Sequence, residues 1–191
     1  MKPDLWRVVV VGTSCSGKTA YARQLSRLLK VPHVELDAIH WLPGWEPRPR
    51  EAFRALVGNA AAGPVWVMDG NYGTVRNLLW PRATAAIWLN YSFSTIMARA
   101  LRRTVKRAFT GEKLYAGNRE TISIAFFSRH SILWWVATSY RRRIREYREL
   151  FDGASYPHLA RIEFKSPRQA ARSLEKRAST SGGAAGPEST R

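Results

Sequence analysis

The chain has 191 residues, of which 45% are hydrophobic, and it carries a formal net charge of +17. This length predicts a single domain, and an apolar content that includes eight tryptophans excludes disorder over most of the chain. No apolar run approaches the roughly 18–20 residues of a membrane-spanning helix, and no signal-peptide pattern opens the chain, so a cytoplasmic protein is expected.

The first predicted element is a buried parallel strand over residues 6–11, a β-branched run. The eight residues after it fit the P-loop pattern G-x-x-x-x-G-K-[ST] at every fixed position, and residues 20–30 have the pattern of a helix. Strand, loop and helix in this order are the context that the motif requires. The residues predicted to bind nucleotide phosphates are Gly12, Thr13, Ser14, Cys15, Ser16, Gly17, Lys18 and Thr19.

The chemistry of this loop follows from its residue types. Its two glycines let successive backbone N–H groups point at phosphate oxygens, and the start of the helix adds its positive dipole end. Lys18 is predicted to bridge the β- and γ-phosphates of ATP, and the Thr19 hydroxyl to supply one Mg²⁺ ligand. Cys15, the only cysteine, is interpreted as a small spacer, with a thiolate favoured by Lys18 as the alternative.

A second short strand is predicted over residues 31–37, and a turn-rich segment with two tryptophans follows it. In a parallel α/β protein this segment lies at the carboxyl edge of the sheet, where ligands bind. We therefore interpret Asp37 as a substrate or metal contact and Trp41 and Trp45 as a wall for the acceptor. Simple packing is the alternative for both tryptophans.

A helix over residues 49–62 and a third strand over 65–69 come next. The strand closes on Asp69, the position at which a P-loop protein needs a Walker-B carboxylate to hold the Mg²⁺ shell. Asp69 and Thr19 are therefore the predicted metal site, and an ordinary Asp-Gly turn is the alternative for Asp69.

Short elements and basic helices alternate in the next part of the chain. A short helix over residues 74–80 and a fourth strand over 85–89 precede a helix over 94–109 with arginines on its polar face. The polar, turn-like residues that follow predict a mobile lid over about residues 107–128.

A long helix over residues 129–150 is densely basic, and three of its arginines are adjacent, so at least one must face a ligand or the protein. A fifth strand over 158–164 and a last helix after Ser166 complete a predicted domain of residues 1–177. Residues 178–191 are rich in Ser, Gly and Ala and are expected to form a disordered tail.

The order of these elements resembles the nucleoside-monophosphate-kinase group of P-loop proteins. Within it, three segments closely resemble the bacterial family of adenylate-kinase-like proteins often labelled DNA topology modulation proteins. The segments are Leu36-Asp37 with Trp41-x-Pro43-Gly44-Trp45, Met68-Asp69-Gly70-Asn71-Tyr72, and Tyr140-Arg141-Arg142-Arg143. The resemblance covers about residues 6–175. It implies a three-layer α/β P-loop NTPase fold, with a five-stranded parallel sheet in the order 2-3-1-4-5, helices on both faces and an Arg-rich helical lid.

The resemblance also implies an enzyme that uses ATP and Mg²⁺ to phosphorylate a small acceptor, in first place a nucleoside monophosphate. Such catalysis consists mostly of positioning and charge neutralisation. Besides Lys18 and Asp37, the catalytic candidates are arginines that would clamp phosphates: Arg99, Arg103, Arg119, Arg141 and Arg143. The candidates for acceptor contact are Asp37, Trp41, Trp45, Asp69, Gly70, Asn71, Tyr72 and Arg76. Arg76 would replace the arginine of the Phe-Pro-Arg segment that follows the Asp-Gly pair in adenylate kinases, where this chain has Asn71-Tyr72-Gly73.

Two other functions fit the same sequence. More than half of the excess positive charge lies in residues 99–149, which suits a nucleotide-dependent regulator that binds nucleic acid. A small-metabolite kinase of the shikimate or gluconate type is the other alternative, because its acceptor-binding acid also follows the second strand, as Asp37 does. A GTPase is disfavoured, since the sequence has no Asn-Lys-x-Asp segment.

Overall fold

A five-stranded, wholly parallel β-sheet forms the centre of the computed structural model, which describes residues 5–110, 115–117 and 132–182. The strand order is β2-β3-β1-β4-β5, so the predicted sheet and its 2-3-1-4-5 order are confirmed. The strands are β1 (Arg7–Gly12), β2 (His33–Glu35), β3 (Trp66–Asp69), β4 (Ala85–Leu89) and β5 (Ala160–Phe164).

Helices cover both faces of this sheet, as predicted. They are α1 (Lys18–Leu29), α2 (Leu36–His40), α3 (Arg50–Ala61), α4 (Arg76–Leu79), α5 (Phe93–Thr110), α6 (Ile132–Asp152) and α7 (Pro167–Gly182). Single turns of 3-10 helix occur at Pro43–Trp45, Gly73–Val75 and Tyr115–Gly117. Among the described helices, none has both the length and the apolar character needed to cross a bilayer.

The central strand β1 is apolar at successive positions because it is buried on both faces. Val8 and Val10 pack into one core with residues of α1, α5 and α7, whereas Val9 and Val11 pack into a second core with residues of α3, α4 and α6. The side chains alternate because successive residues of a strand point to opposite faces. Both cores therefore hold β1 in place, and the loop that follows it starts from a rigid base.

Strand β2 ends at Glu35, two residues earlier than predicted, and Asp37 lies in the short helix α2. The reason is the pairing partner: β2 is an edge strand whose last pair is Glu35 with Asp69, the residue at which β3 itself ends. With no further backbone to pair with, the chain turns into a helix. Asp37 still follows the second strand, but it is presented from a helical turn.

The last helix continues past the boundary predicted at residue 177 and ends at Gly182. Ala178 has a high helix propensity, which agrees with this extension. The predicted lid over residues 107–128 is described only at the end of α5 and at Tyr115–Gly117. The rest of that lid, and residues 183–191 of the predicted tail, lie outside the described residues.

Candidate active site

The loop between β1 and α1 curls over the first turn of α1, and two of its positions require glycine. Gly12 has φ 150° and Gly17 has φ 91°, values that side chains with a Cβ rarely adopt. A Cβ on Gly12 would lie 2.7 Å from the carbonyl oxygen of Leu89, and one on Gly17 would lie 2.7 Å from Nη2 of Arg99. The loop is therefore as tight as the motif predicts.

Several polar groups of this loop are buried without a protein partner. Thr13 Oγ1 and Ser16 Oγ make no hydrogen bond to any residue that the structure describes. Lys18, the first residue of α1, donates from Nζ to the carbonyl oxygen of Thr13 at 3.2 Å. Burial lowers the pKa of the Lys18 ammonium, and the nearby carboxylates of Asp37 and Asp69 oppose that effect. Unsatisfied hydroxyls and a half-buried cation at a helix N-terminus form a site for an anion.

The predicted metal ligands lie side by side. The Thr19 hydroxyl donates to Asp69 Oδ2 at 2.7 Å, and it also lies 3.1 Å from Oε1 of Glu35. Asp69 is only 2% exposed, and its other oxygen, Oδ1, is 2.7 Å from Nε2 of His33. The end of β3 thus holds a carboxylate whose two oxygens are each fixed by one neighbour.

Thr19 and Asp69 fit a Mg²⁺ site, because both present oxygen atoms, the ligand type that Mg²⁺ prefers. Among the described residues there is no group of three or more His, Cys, Asp or Glu side chains that could hold a metal ion by itself. That agrees with Mg²⁺, which is usually held by one or two protein side chains together with phosphates and water. Bound there, the ion would neutralise phosphate charge.

Sequence reasoning missed His33 and Glu35, which both face this cluster. The Tyr115 hydroxyl, in the short described piece of the predicted lid, also donates to Glu35 Oε1. The sequence does carry a pattern that indicates both residues. Side chains alternate between the two sides of a strand, so His33 and Glu35, which are two positions apart, lie on the same side of β2. Of this predicted strand, only Asp37 is interpreted from the sequence as a functional residue, and the two residues before it that share a side are left out.

Asp37, which the sequence predicts to contact the acceptor, is held by an aromatic neighbour. The Tyr72 hydroxyl donates to Asp37 Oδ1 at 2.5 Å. Trp41 and Trp45 stand edge to face with ring centroids 5.7 Å apart, and Trp41 also contacts the ring of His40 at 4.7 Å. Both tryptophans are half-buried beside the Asp37 helix, so they form an aromatic surface there.

The Asn71 amide, predicted to contact the acceptor, is used inside the protein instead. Its Nδ2 donates to the carbonyl oxygen of Gly12 at 2.6 Å, and its Oδ1 accepts from the Gly12 N–H at 3.3 Å and from the Tyr147 hydroxyl at 2.8 Å. Gly70, the residue before it, has φ 150°, and a Cβ there would lie 2.8 Å from Cβ of Leu36. Both residues therefore support the loop, and they also line a small pocket of about 20 Å³ together with Tyr72 and Arg76.

The five predicted phosphate-clamp arginines have different positions. Arg99 donates from Nε to the carbonyl oxygen of Cys15 at 3.2 Å, and Arg103 is close enough to Lys18 to lower its pKa further, so both lie at the loop. Arg141 is exposed on α6, and Arg119 lies outside the described residues.

Arg143, the fifth clamp candidate, and Arg76, the acceptor candidate, converge on Glu146. Arg76 donates to Glu146 Oε1, and Arg143 donates to Glu146 Oε2 at 2.9 Å. Arg143 is half-buried, which confirms that one of the three adjacent arginines faces the protein. Glu146 thus holds both guanidinium groups.

An open groove of about 460 Å³ begins beside the segment that follows Tyr72. Three arginines line it, Arg50, Arg54 and Arg76, and none of the acidic residues in the described part of the chain does. Arg54 is held in place because its Nη1 donates to Asn77 Oδ1 at 3.0 Å. A guanidinium carries five N–H donors, so Arg54 keeps donors for an anion.

Solved structures of several kinases share this architecture over nearly their whole length. A gluconokinase from Sinorhizobium meliloti 1021 matches with a TM-score of 0.52 at 18% identity, over 97% of this chain and 100% of that chain. A shikimate kinase from Aquifex aeolicus matches with a TM-score of 0.53 at 16% identity, over 95% and 99%. The chain has the fold of a P-loop kinase.

A shikimate kinase from Bacteroides thetaiotaomicron shares this P-loop kinase fold, with a TM-score of 0.53 and 15% identity over 90% of this chain and 95% of that chain. No protein-family model and no curated protein sequence matches the chain. The likeness to known proteins is therefore one of architecture.

The Glu146 ion pairs generate a prediction about stability in this P-loop kinase fold. Burial acts to raise the pKa of the Glu146 carboxyl, but Arg76 and Arg143 outweigh it and hold that pKa below its ordinary value. The stabilisation is therefore present above the unfolded pKa and is lost as the pH falls through the folded pKa. We expect Glu146→Gln to lower the free energy of unfolding by about 1–3 kcal/mol near neutral pH.

Urea denaturation across the acid range checks this expectation, since the difference between wild type and Glu146→Gln should shrink as the pH falls. Glu149→Gln is the matched control, because Glu149 is exposed on the same helix and makes no ion pair with the described residues. A difference that stays constant into acid would contradict the proposed role of the ion pairs.

The position of Cys15 generates a second prediction. The residue is half-buried at the bend of the loop, with φ 65°, and it is the only cysteine of the chain. Alkylation with N-ethylmaleimide adds bulk where phosphates would lie, so we expect fully labelled protein to lose ATP binding in a calorimetric titration. Cys15→Ser should bind ATP before and after the same treatment. Full ATP binding by completely labelled wild type would refute this interpretation of the loop.

Proposed function

We propose that the protein transfers the γ-phosphoryl group of ATP, bound with Mg²⁺, to a small-molecule acceptor. The observation that carries the proposal is the gathering of Lys18, Thr19, Asp37 and Asp69 at the carboxyl edge of the sheet. Three of these groups suit a nucleotide and its metal, whereas Asp37 lies on the side of α2 and the tryptophans. The kinase folds of the gluconokinase and the shikimate kinases support the same class of reaction.

The donor side uses charge and hydrogen bonds from the loop. Lys18 neutralises oxygens of the β- and γ-phosphates, and the unpartnered hydroxyls of Thr13 and Ser16 lie in the same loop. Arg99 and Arg103 stand beside the loop, where they add positive charge as negative charge develops on the leaving group. Mg²⁺, when bound by Thr19 and Asp69, supplies further charge neutralisation.

For the acceptor, a small molecule that presents a hydroxyl group is our first candidate. A carboxylate beside Lys18 can take the proton of an acceptor O–H, whereas it would repel an acceptor phosphate oxygen. The acceptor oxygen bonds to the γ-phosphorus while its proton passes to Asp37. The bond from that phosphorus to the bridging oxygen breaks, and ADP leaves. This order of candidates reverses the expectation from the sequence motifs.

A nucleoside monophosphate is the second candidate for the acceptor. The edge-to-face pair of Trp41 and Trp45 favours it, since aromatic surfaces stack well on a nucleobase. The motif resemblance to adenylate-kinase-like proteins supports the same acceptor. Both candidates agree with the groove lined by Arg50, Arg54 and Arg76, provided that the hydroxyl-bearing acceptor also carries a carboxylate or phosphate.

The experiment that tests the proposal is transfer of labelled γ-phosphate from Mg·ATP to a panel of acceptors. The panel contains the nucleoside monophosphates, shikimate, gluconate and neutral sugars, and Lys18→Ala is the control. We expect fast transfer to one class of acceptor and a loss of several orders of magnitude in the variant, because Lys18 neutralises the transferred charge. Wild-type turnover by a folded Lys18→Ala protein would refute the role of Lys18 in phosphoryl transfer.

A nucleic-acid-binding regulator is a second function that one observation favours. Helix α6 exposes four arginines, and the guanidinium of Arg142 lies 6.0 Å from the ring centroid of the exposed Trp135. Arginines beside an exposed aromatic ring are typical of surfaces that bind nucleic acid. This function predicts that duplex DNA binds and that the affinity falls steeply with added salt, as fluorescence anisotropy would measure. Binding that is absent at low salt would exclude it.

A further inference from the structure

The segment that follows β3 points to a residue that orients the acceptor-side acid, an inference that rests on the proposed kinase function. We propose that Tyr72 is the positioning residue of the acceptor site: its hydroxyl holds one carboxylate oxygen of Asp37 so that the other oxygen is left for the acceptor hydroxyl. Tyr72 thus acts through Asp37 and does not touch the reacting atoms itself.

The contact between the two side chains is short and specific. The Tyr72 hydroxyl donates to Asp37 Oδ1 at 2.5 Å, a length typical of a hydrogen bond to a charged oxygen. Among the residues that the structure describes, no other group donates to the Asp37 carboxylate. One oxygen is therefore anchored, and the second keeps its full capacity as a hydrogen-bond and proton acceptor.

The ring of Tyr72 is itself fixed on two sides. The centroid of its ring lies 4.6 Å from the centroid of the His40 ring and 5.0 Å from that of the Phe53 ring. The Phe53 side chain, on α3, is only 2% exposed. His40 and Asp37 belong to the same short helix α2, so the ring and the carboxylate share a neighbour. A ring packed in this way can move little, and its hydroxyl keeps the direction that meets Asp37.

The backbone of Tyr72 is anchored to the phosphate loop. The N–H of Gly70 donates to the carbonyl oxygen of Val10 at 3.3 Å, and the amide of Asn71 binds both backbone groups of Gly12. Tyr72 follows directly, so its hydroxyl is held at a defined place relative to the loop. The Asp37 oxygen that it binds is thereby placed relative to the transferred phosphoryl group as well.

The chemistry of the phenol suits a fixed donor. Burial, followed by the charge of Asp37, raises the pKa of Tyr72 far above its ordinary value, so the hydroxyl stays protonated whenever Asp37 is ionised. It therefore does not compete for the proton that the acceptor releases. A group that only donates leaves Asp37 as the single proton acceptor of the pair.

Tyr72→Phe is the direct test, because it keeps the packed ring and removes only the hydroxyl. With the best acceptor from the panel, we expect kcat to fall about 10- to 100-fold, while the affinity for ATP and the melting temperature stay near those of wild type. Tyr21→Phe is the matched control: it deletes another phenol, bonded to Ser173 Oγ at 3.0 Å in the other core, and should leave kcat unchanged.

A double-mutant cycle with Asp37→Asn separates positioning from a merely structural role. If Tyr72 acts through the carboxylate, Tyr72→Phe should change kcat less than about twofold in the Asp37→Asn background. A loss of the same size in both backgrounds, or a kcat of wild-type size in Tyr72→Phe alone, overturns the inference. If wild type transfers phosphate to no acceptor at all, the proposed kinase function fails, and the role of Tyr72 fails with it.

Discussion

The parallel pairing of β1 with β3 is the constraint on which the site depends. Its register sets Val10 opposite Asp69, so the acid that ends β3 stands beside the loop that begins at Gly12. The Thr19 hydroxyl then reaches Asp69 without any rearrangement of either strand. Because side chains alternate along a strand, a slip by one residue would turn Asp69 to the other face of the sheet and break its contact with Thr19. The valines of β1, packed in two cores, prevent that slip.

Charge decides how the rest of the site is arranged around that pairing. Lys18 is half-buried beside two carboxylates, Asp37 and Asp69, while Arg99 and Arg103 approach from α5. Glu35 and its ion-pair partner Arg23, 3.8 Å apart, also border this cluster, so four cations face three carboxylates, and low-dielectric surroundings make the excess positive charge costly. A polyphosphate would relieve it, since its oxygens accept from the same ammonium, guanidinium and hydroxyl groups.

Local patterns predicted the parts of the structure that depend on neighbours in sequence. The P-loop and the strand that ends on Asp69 follow from such patterns, whereas the strand order was implied by the family resemblance, and the structure agrees with both. Contacts between distant residues escaped prediction: Arg76 and Glu146 are seventy positions apart, and no local pattern indicates that Glu146 holds an arginine expected to bind substrate. His33 and Glu35 could be predicted in part. Strand alternation places them on one side of β2, but their partners are evident only from the pairing of β2 with β3.

The four consecutive residues from Asp69 to Tyr72 belong to one of the segments that carry the family resemblance, and each of them has its own contact in the structure. Asp69 is hydrogen-bonded to Thr19 and His33, and Gly70 lets Leu36 approach to a distance at which a Cβ would collide. Asn71 is hydrogen-bonded to the backbone of Gly12, and Tyr72 is hydrogen-bonded to Asp37. Each residue contacts a different part of the site, so the segment fixes the phosphate loop and the acceptor-side acid relative to each other. Asn71 and Tyr72 thus have separate tasks in one short segment, since Asn71 fixes the loop at Gly12 and Tyr72 fixes the Asp37 carboxylate.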